Sequence, residues 1–163
     1  IFGDHTRTHP ILKGMSYEEQ KKAICDGADD VEAVPGSRPV WLRPPHGAHD
    51  GTTFRAAEAC GMLGIVEWHV DVSEKKITTV GNQPIRPGDI ILMHYRHNSA
   101  ESLQVLKARL DELGLHPASL DKYLDGYPTT PIRLAGPTQP LPSGRSPWLR
   151  WLGIGAVEAT VSE

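Results

Sequence analysis

Apolar and polar residues alternate along the chain up to about residue 125 in patterns that predict helices and strands in turn. Ser16 and Glu19 have the spacing of a capping box, which predicts a first helix from Ser16 to about Asp26 or beyond. Helical spacing predicts two further helices, over 52–60 and 99–113, each stopped by a glycine. Short apolar runs predict strands at 40–42, 64–71, 77–80 and 90–94, with a last one within 117–124.

Strands that alternate with helices predict an α/β fold with a largely parallel sheet. In such folds the functional site gathers at the carboxyl ends of the strands. Polar residues follow four of the predicted strands, so we expect one site at one end of the sheet. These residues are His5 and His9 after the opening strand, Arg43 to His49 after the second, Asp71 to Glu74 after the third, and His94 at the end of the fourth.

His5 and His9 lie four residues apart, and the proline after His9 favours a loop over a helix. Neutral imidazole is the commonest protein ligand of catalytic transition metals, so the pair is a candidate metal site. Taken alone, the spacing favours two surface histidines on a polar loop, and the residues further along the chain shift the balance toward a metal site. A metal would need a further ligand, which we expect from Asp71, Glu74 or residues upstream of the chain. Asp4 is an immediate neighbour of His5, and neighbours on an extended chain point to opposite sides.

Five further residues are candidates for roles in such a site. His94 suits a general acid because imidazole titrates near neutrality, although a capped core histidine is an equal alternative. Arg43 could orient a carboxylate through a bidentate pair, or form a surface salt bridge. Two prolines stiffen the loop before His46, so that its backbone amide could point into the site. Trp68 and Leu92 are pocket walls or plain core residues.

The composition narrows the function class without naming it. The chain has 163 residues, enough for one domain, with 39% hydrophobic residues and a net charge of −3. This charge gives no reason to expect a nucleic acid or an anionic membrane as partner, and no apolar run is long enough to span a membrane. Cys25 and Cys60 form no metal-ligand pattern, so we expect buried free thiols, with one disulfide left open.

The two ends of the chain differ in character from its middle. Residues 126–163 are rich in proline, which predicts a poorly ordered tail after a domain of residues 1–125. The first residue is Ile1 rather than methionine, and Ile1-Phe2 resembles the end of a strand. We therefore expect upstream residues, with a signal peptide or anchor left open.

Four motifs in this order resemble the polysaccharide deacetylase family, also described as the NodB homology domain or carbohydrate esterase family 4. The resemblance covers about residues 1–125 and implies a partial, distorted (β/α) barrel with fewer strands than the usual eight. The motifs are His5-Thr6-x-x-His9-Pro10, Arg43-Pro44-Pro45-His46-Gly47, Trp68-x-x-Asp71-x-x-Glu74 and Ile91-Leu92-Met93-His94.

The resemblance implies a metal-dependent hydrolase that removes acetyl groups, usually N-acetyl groups of amino-sugar polymers such as chitin or peptidoglycan. The partner would be an acetylated polysaccharide or oligosaccharide, and the location would be secreted or in the cell envelope. By this resemblance, His5 and His9 would bind zinc or a similar divalent ion, and Arg43 would hold the carboxylate of the catalytic base. The backbone amide of His46 would stabilise the oxyanion, and Leu92 would line the pocket for the acetyl group. His94 would donate a proton to the leaving group, and Glu74 or, as the second choice, Asp71 would tune the pKa of His94.

Several residues depart from the family pattern. The motif Thr-Phe-Asp-Asp, which would supply the base and a third metal ligand, is absent, and we expect it to precede the opening strand. These 163 residues alone are therefore expected to show little or no activity. His46 stands where the family usually has tyrosine, Glu74-Lys75 replaces Asp-Trp, and Tyr95 replaces a common aspartate. Two alternatives follow: a catalytically impaired carbohydrate-binding relative, or a deacetylase of acetylxylan or of a small amide.

Overall fold

The computed structural model describes residues 1–34, 38–123 and 157–159. The described residues divide into two compact units, one within Ile1–Glu67 and the other formed by Trp68–Asp125 together with residues 157–159. Most of the tail predicted for residues 126–163 lies outside the described residues. Helices and short strands occur in both units, which confirms the predicted α/β class.

The first unit is built around two helices, α1 (Tyr17–Ala33) and α2 (Gly51–Ala59). The predicted capping box at the start of α1 is confirmed, with Ser16 and Glu19 bonded reciprocally. The disulfide Cys25–Cys60 joins α1 to the residue that caps α2, so the expectation of free thiols was wrong. Both helices pack on one apolar core, which contains Leu12, Ile24, Ala28, Leu42, Ala56, Ala57, Cys60 and Met62.

Asp50 joins three segments of the first unit through its carboxylate. It caps α2 by accepting hydrogen bonds from the amides of Thr52 (2.9 Å) and Thr53 (3.1 Å). It also accepts from the amide of Gly14 at 2.9 Å and from the side-chain amide of Gln20, on α1, at 3.4 Å. These hydrogen bonds hold the pKa of Asp50 down at about 2, with the Gly14 amide as the largest contribution.

The strands of the first unit are short and parallel. β1 (Trp41–Leu42) pairs with β2 (Gly64–Ile65), and Asp4 forms a single parallel bridge to Leu42 on the other side. The amide of Asp4 donates to the carbonyl of Trp41 at 2.8 Å. Residues after Asp4 and after β1 therefore leave the same end of this sheet, as predicted for the His5–His9 and Arg43–His49 segments.

The second unit contains a mixed three-stranded sheet in the order β4-β3-β5, formed by β3 (Val70–Ser73), β4 (Lys76–Thr79) and β5 (Ile91–Met93). β3 runs parallel to β5 and antiparallel to β4. The prediction of one strand over 64–71 followed by a loop was wrong, because residues 66–69 separate two strands that belong to different sheets. Glu74 and Lys75, both with positive φ, form the two-residue turn between β3 and β4.

Helix α3 (Ser99–Glu112) covers one face of this sheet. Its bounds agree with the prediction, but its buried face does not. Leu106 and Leu110 are buried as expected, whereas Leu103 is 56% exposed and Leu113 is 37% exposed. Ser102 takes a buried position instead and accepts a hydrogen bond from the amide of Lys75 at 3.1 Å. The contact joins α3 to the turn between β3 and β4.

The chain after α3 forms β6 (Leu115–Pro117), which pairs antiparallel with β7 (Val157–Ala159). Within the described ranges, three short 3-10 helices connect the larger elements, at Pro45–Gly47, Val80–Asn82 and Leu120–Tyr123. Among the helices of the described residues, none combines the length and the apolar character that crossing a membrane requires.

Candidate functional site

The loop that carries His5 and His9 follows Asp4 and is fixed by its own hydrogen bonds. Nδ1 of His5 lies 2.6 Å from the carbonyl oxygen of Arg43, which can only accept, so Nδ1 carries a proton, and in the neutral ring Nε2 has the lone pair. Thr6 and His9 both have positive φ, at 64° and 57°, and the amide of His9 donates to Oγ1 of Thr6 at 3.2 Å. The rings of His5 and His9 meet edge to face, with centroids 4.8 Å apart.

Helix α1 fixes the position of this loop through an ion pair and a close contact with its backbone. Arg7 forms a bidentate pair with Asp30 of α1, with both N···O distances 2.6 Å. Gly27 of α1 lets the loop approach closely, because a Cβ atom there would lie 2.3 Å from Oδ1 of Asp4 and 2.7 Å from Cα of Thr6. The position of the two histidines therefore depends on a helix that sequence reasoning did not connect with them.

Asp4 points into the protein while His5 points out. Asp4 is 1% exposed, and its Oδ1 accepts from the amide of Thr6 at 2.8 Å. Its Oδ2 is buried and has no hydrogen-bond partner within the described parts of the chain. Burial raises the pKa of Asp4 to about 6, against the lowering effect of the Thr6 amide. The sequence-based expectation that Asp4 and His5 point to opposite sides is confirmed.

The buried carboxyl of Asp4 makes the stability of the protein depend on pH. The folded state prefers the protonated acid, so stability falls as the pH rises from about 4 to the folded pKa of about 6. Asn keeps the acceptor for Thr6 without the charge. We expect Asp4→Asn to be more stable than wild type by about 2 kcal/mol at pH 7.5, with the gain vanishing near pH 4. Urea unfolding of both proteins at both pH values measures the difference in their free energy of unfolding.

The control for this experiment is Glu58→Gln, which removes the charge of an exposed carboxylate on α2. It should change the free energy of unfolding by less than about 0.5 kcal/mol at either pH. An Asp4→Asn variant that is less stable than wild type at pH 7.5 would contradict the expectation.

The segment after β1 brings His46 to the first two histidines. His46 is exposed, has φ 58°, and lies in the 3-10 turn Pro45–Gly47. Its ring meets that of His9 edge to face, with centroids 4.7 Å apart. The ring of His9 thus contacts those of both His5 and His46, although only the backbone amide of His46 was expected to face the site.

Arg43 and His49 interact with Glu67, at the end of the first unit. Nε of Arg43 donates to the carbonyl of Val66 at 3.2 Å, and burial lowers the pKa of the guanidinium while Glu67 raises it. Nδ1 of His49 lies 3.1 Å from Oε1 of Glu67. Burial raises the pKa of Glu67, against the lowering effects of His49 and Arg43. Sequence reasoning missed Glu67, although it is the only charged residue among the apolar residues 62–66 and Trp68 that surround it.

The histidine pair fits a zinc ion in part. The hydrogen bond from Nδ1 of His5 to a backbone carbonyl is the arrangement that orients metal-binding histidines, and it leaves Nε2 as the donor atom. Neutral imidazole nitrogens are usual ligands of Zn²⁺, which is an ion of intermediate softness. In the described parts of the chain, however, no three His, Cys, Asp or Glu side chains converge closely enough to hold a metal ion as they stand. The two histidines alone therefore do not complete a metal site among the described residues.

The other predicted residues lie in the second unit. Asp71 and Leu92 are register partners on β3 and β5, on the face opposite the residues that pack against α3. His94 directly follows β5, is exposed, and accepts a hydrogen bond from Oγ of Ser99 through its carbonyl at 2.8 Å. Glu74 is exposed in the turn between β3 and β4, and Trp68 is half-buried in the segment before β3.

Comparison with known proteins gives these residues a context. Residues 1–65 match the family model described as polysaccharide deacetylase. An uncharacterized protein of Streptomyces coelicolor is 34% identical over 127 residues, which are 74% of this chain and 51% of that protein. A peptidoglycan-N-acetylmuramic acid deacetylase of Bacillus subtilis is 29% identical over 118 residues, covering 68% of this chain and 24% of that protein.

A solved structure supports the fold. The wild-type structure of a carbohydrate esterase family 4 pseudoenzyme from Bacillus anthracis matches with a TM-score of 0.57 and 27% identity, covering 69% of this chain and 42% of that chain. A mutant of that protein with restored enzymatic activity matches equally well. These matches confirm the predicted deacetylase-type α/β fold, and partial coverage agrees with a partial barrel. The chain spans about half the length of the first of the relatives and less of the second.

Proposed function

We propose that the chain, whose residues 1–65 match the polysaccharide deacetylase family model, belongs to this family and is the core of a metal-dependent hydrolase that removes acetyl groups from an acetylated polysaccharide. One observation carries the metal part of this proposal. His5 and His9 lie side by side, and a backbone carbonyl fixes the ring of His5 with Nε2 as the electron-pair donor. The pair lies in the segment that matches the family.

The proposed cofactor is a divalent ion, with zinc as the first choice, held by His5 and His9. When bound, the ion would polarise the acetyl carbonyl and make water at the site more acidic. Arg43 lies beside the loop; its carbonyl oxygen accepts from His5, and the residue is half-buried near Glu67. We propose that this guanidinium orients the carboxylate that serves as the catalytic base. The backbone amide of His46 would donate to the oxyanion of the tetrahedral intermediate.

The remaining roles are proposed residue by residue from the resemblance to the family. His94 would donate a proton to the leaving nitrogen, from an exposed position that a polymer can reach. Leu92 would line the pocket for the acetyl methyl group, with Trp68 as a further wall. Asp71, the register partner of Leu92, and Glu74 are the carboxylates proposed to tune the acidity of His94.

We propose peptidoglycan as the first substrate to test, because the similar Bacillus subtilis protein is a peptidoglycan deacetylase. Acetylated chitin oligomers and acetylxylan are the other substrates. The readout is the acetate released by the full-length gene product that carries this chain, with zinc added. We expect His94→Ala to lower the rate by about 10²- to 10⁴-fold, the usual contribution of a general acid.

The matched control is His97→Ala, a second exposed histidine in the same segment after β5. It should leave the rate within about twofold of wild type, since a surface substitution away from the reacting groups changes little. Equal loss in both variants would contradict the role of His94. Release of acetate from acetylxylan alone would overturn the amino-sugar assignment.

A second candidate function is a carbohydrate-binding relative without catalysis. The similarity to a pseudoenzyme favours it, together with the changes at His46 and Glu74-Lys75. This candidate predicts a folded protein that binds the polymer in a sedimentation assay and releases no acetate from any of the three substrates. That result would replace the deacetylase proposal.

A further inference from the structure

Two exposed loops leave the same end of the sheet in the second unit, and both carry cations. β3 runs parallel to β5, so the turn after Ser73 and the segment after Met93 lie at the carboxyl ends of neighbouring strands. The turn leads through Lys75 into Lys76, the first residue of β4, and the segment contains Arg96. All three residues are exposed, and none of them forms a salt bridge within the described part of the chain.

The first turn of α3 holds the two loops next to each other. Oγ of Ser102 accepts from the amide of Lys75 at 3.1 Å, and Oγ of Ser99 accepts from the amide of Arg96 at 2.6 Å. Residues three apart on a helix lie on one face, with Cβ atoms about 5 to 6 Å apart. The backbones of Lys75 and Arg96 are therefore fixed to neighbouring points of one helix, and both side chains lie within reach of one ligand a few sugar units long.

The turn between β3 and β4 uses residues that its backbone does not favour. Glu74 and Lys75 have φ of 51° and 63°, a region in which glycine, asparagine and aspartate are the common residues. Such strain is typical of positions where a side chain serves a function. The side chains of this turn are therefore better explained by a ligand than by the needs of the hairpin.

Tyr95 adds an aromatic face between His94 and Arg96. The residue is fully exposed. Tyrosine combines a large, rigid apolar face with a hydroxyl group at its tip, and it is enriched on surfaces that bind partners. The C–H face of a sugar ring can pack on the aromatic ring while the hydroxyl groups of the sugar stay in water.

The carboxylates near these cations leave the two loops with a net positive charge. The loops carry three permanent positive charges against the single charge of Glu74. Asp71 is half-buried on β3, and its Oδ1 accepts from Oγ of Ser73 at 2.6 Å. Glu101 lies in the first turn of α3. Successive helix residues are about 100° apart, so Glu101 projects from a different side of α3 than Ser102.

We propose that Lys75, Lys76, Tyr95 and Arg96, which we call the basic edge, bind an acidic glycan whose carboxylates pair with the three cations. This inference rests on the proposed function, in which His94, directly before Tyr95, acts on the sugar. Lysine and arginine form charge-assisted hydrogen bonds with carboxylates. Peptidoglycan carries carboxylates on its muramic acid and peptide substituents, whereas chitin and unsubstituted acetylxylan carry none. The basic edge therefore favours peptidoglycan among the three candidate substrates.

The binding test compares native peptidoglycan, freed of teichoic acid, with the same polymer after its carboxylates have been converted to neutral amides. Sedimentation of the full-length gene product that carries this chain gives a dissociation constant for each polymer. We expect the constant of wild type to be at least about fivefold higher for the amidated polymer, because each cation then loses its partner. The difference should shrink as the ionic strength rises, since salt screens exposed charges.

Arg96→Gln and Arg86→Gln are a matched pair of variants. Arg96 follows β5, whereas Arg86 lies in the exposed turn before the amino end of the same strand. Arg96→Gln should raise the dissociation constant for the native polymer about three- to fivefold, and Arg86→Gln should leave it within about 1.5-fold of wild type. The double variant Lys75→Gln/Arg96→Gln should lose about tenfold and bind both polymers nearly alike. Circular dichroism establishes that each variant is folded, and Lys75→Asn replaces Lys75→Gln if the double variant is not.

The outcomes separate this inference from the proposed function. Equal affinity of wild type for the two polymers, no binding to either, or equal effects of Arg96→Gln and Arg86→Gln would overturn the basic edge, while acetate release would leave the proposed hydrolase in place. Charge-dependent binding without acetate release from any substrate would support the basic edge and overturn the hydrolase. Tighter binding to vesicles of an anionic lipid than to peptidoglycan would overturn the choice of a glycan as partner.

Discussion

The Gly27→Ala variant is expected to be less stable than wild type by at least about 2 kcal/mol, and the zinc binding proposed for His5 and His9 should weaken in it. Alanine would normally stabilise the interior of a helix by about 1 kcal/mol relative to glycine. Here the added Cβ would lie 2.3 Å from Oδ1 of Asp4, 2.7 Å from Cα of Thr6 and 2.9 Å from its carbonyl carbon. Two of these atoms are backbone, so the loop with His5 and His9 must move away from α1.

The matched control is Gly51→Ala, at the start of α2. A Cβ atom there would have no heavy atom within 4 Å. This variant should be as stable as wild type or slightly more stable, because only the helix propensity changes. Thermal and urea unfolding measure stability, and calorimetric titration measures zinc affinity. Equal behaviour of the two variants would contradict the proposed contact between α1 and the histidine loop.

Removal of the disulfide Cys25–Cys60 is the second large expected effect. The bond closes a loop with a sequence separation of 35 residues between α1 and the end of α2. Loop-closure entropy predicts a loss of about 3 to 4 kcal/mol when such a cross-link is absent. The double variant Cys25→Ala/Cys60→Ala should therefore unfold at lower urea concentration than the oxidised wild type.

Reduction of the wild type with dithiothreitol should produce nearly the same loss, and it should have no effect on the double variant. Thiol titration of the unfolded, unreduced wild type should find no free thiol, because the structure contains no free cysteine among the described residues. Two free thiols per chain, or a loss below about 1 kcal/mol in the double variant, would contradict the expectation.

The helices could be predicted from the sequence because their signals are local. The capping box at Ser16 and the spacing of Ile24 and Ala28 determine where α1 begins and which face it buries. The buried face of α3 was predicted less well, since Leu103 is exposed while Ser102 is buried. Which residues of α3 are buried depends on the turn at Lys75, whose amide donates to Ser102 and which lies far from α3 in the sequence.

The strand β3 and its turn were missed for a similar reason. A two-residue hairpin turn is recognised by asparagine or glycine, which adopt positive φ readily, and Glu74-Lys75 carries neither. The alternation of Val70 and Val72, both buried, was the available signal for a strand that continues through Asp71.

The candidate site was predicted in its parts but not in its contacts. The sequence motifs grouped His5 with His9, whose rings do lie together, and the alternation of an extended chain predicted that Asp4 and His5 point to opposite sides. Metal binding by the two histidines stays a prediction. The ring of His46 beside His9, the close approach at Gly27 and the pairing of His49 with Glu67 could not be predicted. Each of these contacts joins segments far apart in sequence, which local patterns do not relate.

The carboxylate of Asp50 has a consequence for how the first unit opens. The carboxylate accepts hydrogen bonds from Gly14, from Gln20 of α1 and from the first amides of α2. If one of these segments moves away, water reaches the carboxylate to which the other two are bonded. Gln20 is fully buried and also accepts from Oγ1 of Thr53 at 2.6 Å, which extends the network across both helices. The amide protons of these segments should therefore exchange with solvent as one cooperative unit, rather than by fraying from the helix ends.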